Sequence, residues 1–323
     1  MANTSTTNKA PAVSTTQLDH IVLLLSPSEF QSLPSWLSNN FAIFEGGTHT
    51  QGTSQNKLII FKDGTYLELF SWIDPQPDGV EPYADFPGWA NQPENHVIDW
   101  ALTGDGAQSK YEDVVECLRR IDADGGEAGV TYDEPKSGGR RRKDGEELRW
   151  VTTRPRSTRD HEGDGSRRPK VPFFCHDVSP RVLRVPYTEG AVAGRSGIVN
   201  HPCGAVGIAG ITIEVPQDDI NVLAKLYGAL LGTEAVTSAE GDGATYDFKL
   251  ATPEQARKLD VTDQQGSGSL AEPCVVRLQA VETETPVPAG GLQKLVLRKE
   301  DKTEGQQQER LSPEGFGTPI YLC

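Results

Sequence analysis

Leu18-Asp19-His20-Ile21-Val22-Leu23-Leu24-Leu25, with Ser26-Pro27-Ser28-Glu29-Phe30 after it and Tyr66-Leu67-Glu68-Leu69-Phe70-Ser71-Trp72 further on, are the runs that decide the fold. The first is apolar and predicts a buried strand. Ser26 is placed to cap a helix, with Pro27 in its first turn and Glu29 completing a capping box. Phe30, Leu33 and Leu37 give that helix one apolar face, which Pro34 should kink or shorten. Gly46, Gly47 and Gly52 suggest a loop. Residues 57–61 read as a strand, and Lys62-Asp63-Gly64-Thr65 as a turn into the strand 66–72. The predicted order over 18–74 is β-α-β-β-β.

Side chains alternate across a strand, so Tyr66, Glu68, Phe70 and Trp72 share one face, and Leu67 and Leu69 the other. On the first strand His20 shares its face with Val22 and Leu24. If the two strands are neighbours, His20 and Glu68 meet in an aromatic-lined concavity. Imidazole and carboxylate are ordinary ligands for Zn, Fe, Mn or Ni. They also satisfy one another by a hydrogen bond, since a buried carboxylate without a partner is costly.

Together with Gly46-Gly47-x-His49, Gly52-Thr53-x-x-Asn56, Trp100-Ala101-Leu102, Arg140-Arg141-Arg142-x-Asp144-Gly145, Leu148-Arg149-Trp150, Val171-Pro172-Phe173-Phe174 and His201-Pro202-x-Gly204-Ala205, these runs resemble the glyoxalase-like domain family of the vicinal oxygen chelate superfamily. The likeness extends over about residues 18–297. It implies an α+β fold of repeated βαβββ modules forming a cupped mixed sheet with helices outside. It also implies a divalent metal on His, Glu or Gln side chains, with His20 and Glu68 at ligand positions.

The rest of the chain fits that plan. At 323 residues it has room for two domains or one with repeats. A net charge of −15 argues against nucleic acid or an anionic membrane as partner. Five scattered cysteines without CxxC spacing suit reduced thiols and a cytoplasmic setting. No run reaches transmembrane length. Residues 1–17 read as a flexible tail, 18–195 as a paired βαβββ domain, 196–300 as a third βαβββ-like module and 301–323 as a polar tail. In the second module, Tyr111, Val114, Val115, Leu118 and Ile121 make a helical stripe that Gly125-Gly126 ends. In the third, Gly210 stands where the first has His20, and the last strand offers no Glu. Residues 154–170 carry almost nothing apolar and read as a flexible insertion.

Further candidates follow from module symmetry. His176 ends the second module's last strand, near the place Glu68 takes in the first, and is a candidate metal and catalytic residue beside Glu68. Asp99 or Trp100, depending on register, is the counterpart of His20, and Trp100 would make an aromatic wall. His49 and Asn56 lie in a glycine-rich segment that could close over the cavity, and Tyr66 and Phe70 line it. The basic run Arg140-Arg141-Arg142-Lys143 is either an anion clamp for a carboxylate or phosphate on the substrate or a solvated hairpin turn.

The leading expectation is a metal-dependent lyase, isomerase or dioxygenase acting on a small oxygenated metabolite chelated at the metal, in a monomer or homodimer. The competing one is a metal-free protein that binds or sequesters a small molecule, held by the aromatic face with Glu68 as a charged anchor.

Overall fold

The structure, a computed structural model, describes residues 16–104, 106–142, 145–158, 170–188, 197–240, 243–255, 257, 272–282, 292–300 and 307–323. The first module runs β1 (Gln17–Leu24), two short helices α1 (Pro27–Gln31) and α2 (Ser35–Ser38), β2 (Phe44–His49), β3 (Ser54–Ile60) and β4 (Tyr66–Trp72). Ser26 Oγ accepts from the Glu29 N–H at the start of α1, and Pro34 separates the two helices as the sequence requires. The second module runs β5 (His96–Thr103), α3 (Ala107–Ala123), β6 (Val130–Tyr132), β7 (Lys136–Arg142), β8 (Glu147–Thr153), β9 (Pro155–Ser157) and β10 (Phe173–Asp177).

Eight of these strands close a barrel in the order β1-β4-β3-β2-β7-β8-β10-β5. Within each module the first and last strands pair in parallel, β1 with β4 and β5 with β10. Between modules two antiparallel seams join β1 to β5 and β2 to β7. Leu67 and Leu69 face outward into the main core with Phe30 and Leu37, while Val22, Leu24, Phe70 and Trp72 point into the barrel. Helix α3 buries Val114, Leu118 and Ile121 from outside.

After α4 (Arg181–Arg184) comes the third unit: β11 (Ala205–Pro216), α5 (Ile220–Leu231), β12 (Val236–Glu240), β13 (Gly243–Leu250) and β14 (Cys274–Val281). It repeats the βαβββ order. Then β15 (Leu292–Lys299), β16 (Glu309–Arg310) and β17 (Ile320–Leu322) extend its sheet, giving β12-β13-β14-β11-β15-β17-β16. Residues 307–323 are therefore partly strand rather than a polar tail.

Three other expectations change. Gly46 and Gly47 lie within β2, not in a loop. Arg140 and Arg142 belong to β7 and are buried, not exposed at a solvated turn. Arg154 and β9 are ordered parts of the expected insertion, with β9 paired to β6; residues 159–169 lie outside the described residues, as do 1–15. Among the described residues no helix is long and apolar enough to cross a membrane, and all five cysteines are free.

Candidate functional site

The barrel interior holds two connected spaces. An inner chamber of about 30 Å³ is bounded by His20, Tyr66, Glu68, Asn56, Phe173, Cys175 and Arg184. An outer cleft of about 1290 Å³ opens beyond it between the segment carrying Phe86 and Trp89 and the strands β7 and β8. His49, Arg140, Trp150 and Arg154 line both. The Arg154 guanidinium lies 4.7–4.8 Å from the ring centres of Phe86, Trp89 and Phe173, at the passage from one space to the other.

Glu68 is the hub. Its Oε2 lies 3.4 Å from His20 Nε2, and its Oε1 accepts from Asn56 Nδ2 at 2.6 Å. His49 Nε2 stands 3.6 Å from the same Oε1. Behind each imidazole is an acceptor that fixes its tautomer. His20 Nδ1 donates to Asp19 Oδ2 at 2.7 Å. Ser54 Oγ gives its proton to Asp85, so His49 Nδ1 must donate to Ser54 Oγ, 2.9 Å away. In the neutral tautomers both imidazoles therefore turn a lone pair on Nε2 toward one carboxylate.

Asp19 reaches its neighbour's ring because β1 bulges against β5 between Leu18 and His20. The same carboxylate takes hydrogen bonds from Arg181 and Arg184, and Arg184 also binds Asp177 and the Tyr66 hydroxyl. Burial opposes ionisation of Asp19, but Arg184 and Arg181 hold it well below the usual carboxylate range. Burial likewise opposes charge on Glu68 and His20. Hydrogen bonds from His20 and His49 nevertheless keep Glu68 well below its ordinary value, and Asp19 with Glu68 raises His20.

On the far side of Asn56, its Oδ1 accepts from Gly47 N–H at 3.1 Å and from Arg140 Nη1 at 3.3 Å. A Cβ on Gly46 would collide with that Oδ1 and come within 2.8 Å of Arg140 Nη1, so the glycine is what lets Asn56 and Arg140 approach. Burial lowers Arg140 to about 10.

The structure separates the residues singled out from sequence. His20, His49, Asn56, Tyr66 and Glu68 line the inner chamber, and Phe70 packs on the barrel interior against Trp89. His176 does not join them. It stacks on Phe174 on the outer face and its Nδ1 donates to Gly104 O, whereas Cys175 faces the chamber. Trp100 also points outward and stacks near Tyr227 of α5, 6.2 Å between centres. The residue opposite His20 is Ala101. Asp99 turns inward to accept from Trp89 Nε1. Arg142 is buried with its Nη1 on Leu183 O, outside the chamber lining. Arg154, Arg184 and Asp19 escaped the sequence reading, and Arg140 entered it only as part of the basic run 140–143.

Two donors in the chamber suit a divalent ion by their chemistry: an imidazole Nε2 backed by a carboxylate, and a carboxylate that stays ionised. Among the described residues no three His, Cys, Asp or Glu side chains stand close enough to enclose an ion. The second module adds none. By register Ala101 matches His20 and Cys175 matches Glu68, and burial pushes the Cys175 thiol far up.

The sequences described as the glyoxalase-like domain match residues 18–231. No curated protein matches the chain. A hypothetical protein from Staphylococcus aureus superposes with a TM-score of 0.56 at 11% identity, over 95% of this chain and 98% of that one. A mutant 4-hydroxymandelate synthase from Streptomyces coelicolor gives 0.47 at 13% identity, over 90% and 72%. The 2,3-dioxygenase LapB from Pseudomonas sp. KL28 gives 0.47 at 10%, over 95% and 91%. The Staphylococcus structure is a likeness of fold.

Proposed function

The chain belongs to the glyoxalase-like domain family, and from that premise we propose that its barrel is the active site of a metal-dependent lyase, isomerase or dioxygenase for a small oxygenated metabolite. The observation that carries this reading is the facing of His20 Nε2 and Glu68 Oε2 across 3.4 Å, with Nδ1 of the same ring committed to Asp19. A lone pair and an anionic oxygen at that separation repel unless a proton or a metal ion stands between them.

His20 and Glu68 would hold the ion, with His49 Nε2 turned to the same carboxylate. A divalent ion there would supply Lewis-acid stabilisation to oxygens of the substrate. Glu68, ionised far below neutral pH, is a poor proton acceptor and a good cation ligand. His49, with Nδ1 committed to Ser54, turns Nε2 toward the chamber, where it could exchange a proton with a substrate. Asn56 orients Glu68, and Phe86, Trp89 and Arg154 line the passage from the cleft to the chamber.

A second reading, metal-free binding of a small molecule, is favoured by one observation: the second module contributes no donor at the positions matching His20 and Glu68. Melting temperatures of dialysed protein with Mn, Zn, Ni and Fe(II), for wild type, His20→Ala and Glu68→Ala, decide between them. The metal reading expects a rise in wild type, by RT ln(1 + [L]/Kd) in stability, and loss of that rise in both variants. No shift with any ion would leave the metal-free reading.

A further inference from the structure

We propose that Arg140 is the seat for a carboxylate carried by the ligand, which makes the small molecule an organic acid. The inference rests on the barrel being the ligand site, as above, but not on a metal.

Arg140 sits at the junction of the two spaces, 4% exposed. One guanidinium nitrogen, Nη1, donates to Asn56 Oδ1 at 3.3 Å. The other, Nη2, is buried and has no hydrogen-bond partner. Glu68 attracts Arg140 through space, but no carboxylate occupies the Nη2 position. Arg181 and Arg184 are matched by Asp19 and Asp177, and Glu68 is engaged by His20, His49 and Asn56. A buried guanidinium without an anion is costly, and its flat fork fits a carboxylate.

Size selects the ligand's shape. The inner chamber is small, about 30 Å³. It admits one small planar group, while the outer cleft of about 1290 Å³ takes the body. A carboxylate suits that head space better than a tetrahedral phosphate. Lys136, Arg141, Arg149 and Arg156 offset the cleft's four carboxylates, Asp85, Asp133, Glu134 and Glu147, so that with Arg140 and Arg154 its lining is net cationic, in a chain of net charge −15. Arg154, in contact with the rings of Phe86, Trp89 and Phe173, stands at the doorway.

The test is binding of matched acid and neutral pairs, pyruvate against hydroxyacetone and benzoate against benzamide, by calorimetry on the full chain. Each titration is run after chelator treatment and again with Mn, on wild type, Arg140→Gln, Arg140→Lys and Trp100→Ala. Wild type should prefer each acid by about tenfold or more, the scale of one charge-assisted hydrogen bond, with or without Mn. Arg140→Gln should abolish the preference and Arg140→Lys should keep part of it. Trp100→Ala, which lies outside the barrel toward Tyr227, should keep it whole. If Arg140→Gln does not fold, Arg140→Lys decides, since a single ammonium without the fork must weaken the preference. No saturable binding of either acid to wild type, equal affinity within pairs, or a preference unchanged in both Arg140 variants would overturn the proposal. A preference seen only with Mn would also overturn it while leaving the metal reading intact. A preference without any metal response would uphold it while removing that reading.

Discussion

Asp19 and His20 are neighbours on one strand, where side chains ordinarily point apart, yet His20 Nδ1 donates to Asp19 Oδ2 at 2.7 Å. The β1 bulge makes this possible and places one carboxylate between an imidazole and two guanidinium groups.

Asp19→Asn should therefore act on stability and site together. Removing the charge leaves Arg181 and Arg184 to share Asp177, at a cost of up to about 3–5 kcal/mol, the figure for a broken buried pair. It should weaken any metal response of His20 by about tenfold or more, as loss of an outer-shell partner does. The pKa of Asp19 is depressed in the fold, so its contribution is present above the unfolded value, about 3.9, and fades as pH falls through that value to the folded one. An acid titration followed by circular dichroism should show wild type losing this increment in that range and Asp19→Asn having none to lose.

Gly46→Ala should disable the site from behind. The added methyl would strike Asn56 Oδ1 and press on Arg140 Nη1, displacing the residue that links Arg140 to Glu68. We expect a loss of about 1–3 kcal/mol from the disturbed buried hydrogen bonds, and loss of ligand-induced thermal stabilisation at concentrations that saturate wild type.

Trp100→Ala should do the opposite. The ring is 2% exposed and packs outside the barrel toward Tyr227. Its removal should cost about 3–5 kcal/mol while leaving ligand and metal affinity of the folded fraction unchanged, as calorimetry below the melting point would record.

His201 should make the protein sensitive to mild acid. Its Nδ1 accepts from Ala42 N–H and its Nε2 donates to Ile60 O, which fixes a neutral ring, and burial lowers its pKa to about 4. A lowered histidine stabilises above the unfolded value of about 6.5, and that stability is lost as pH falls from there to about 4. The full span is worth about 3 kcal/mol. Urea midpoints at pH 7 and 4.5 should differ more for wild type than for His201→Gln.

What the sequence could and could not convey follows from parity. On β4 alternation alone puts Tyr66, Glu68, Phe70 and Trp72 on one face, because the strand runs without a bulge. On β5 it could not choose between Asp99 and Trp100, and the residue opposite His20 is Ala101, because bulges at Leu18/His20 and Val22/Leu23 shift the register. The same one-residue ambiguity exchanged His176 for Cys175. Strand β7, with its glycines and arginines, carries no apolar alternation. Its pairing with β2 and the contacts to Asn56 and Leu183 bury it, and these are relations between distant segments. Arg154 was hidden within a run whose composition looked unfoldable.

The two seams have a consequence for how the molecule can be divided. The halves of the barrel are held together by β1 against β5 and β2 against β7, pairings that owe nothing to the covalent link through residues 73–95. A cut in that link, near Gly79 where an added Cβ would meet nothing within 4 Å, should leave two fragments able to reassemble when co-expressed. Each alone would expose two unpaired strand edges and half of an aromatic interior, and should be insoluble. The reporter of correct assembly is already in place: Trp89 on the second fragment lies 5.1 Å from Phe70 on the first, so its fluorescence would register reunion.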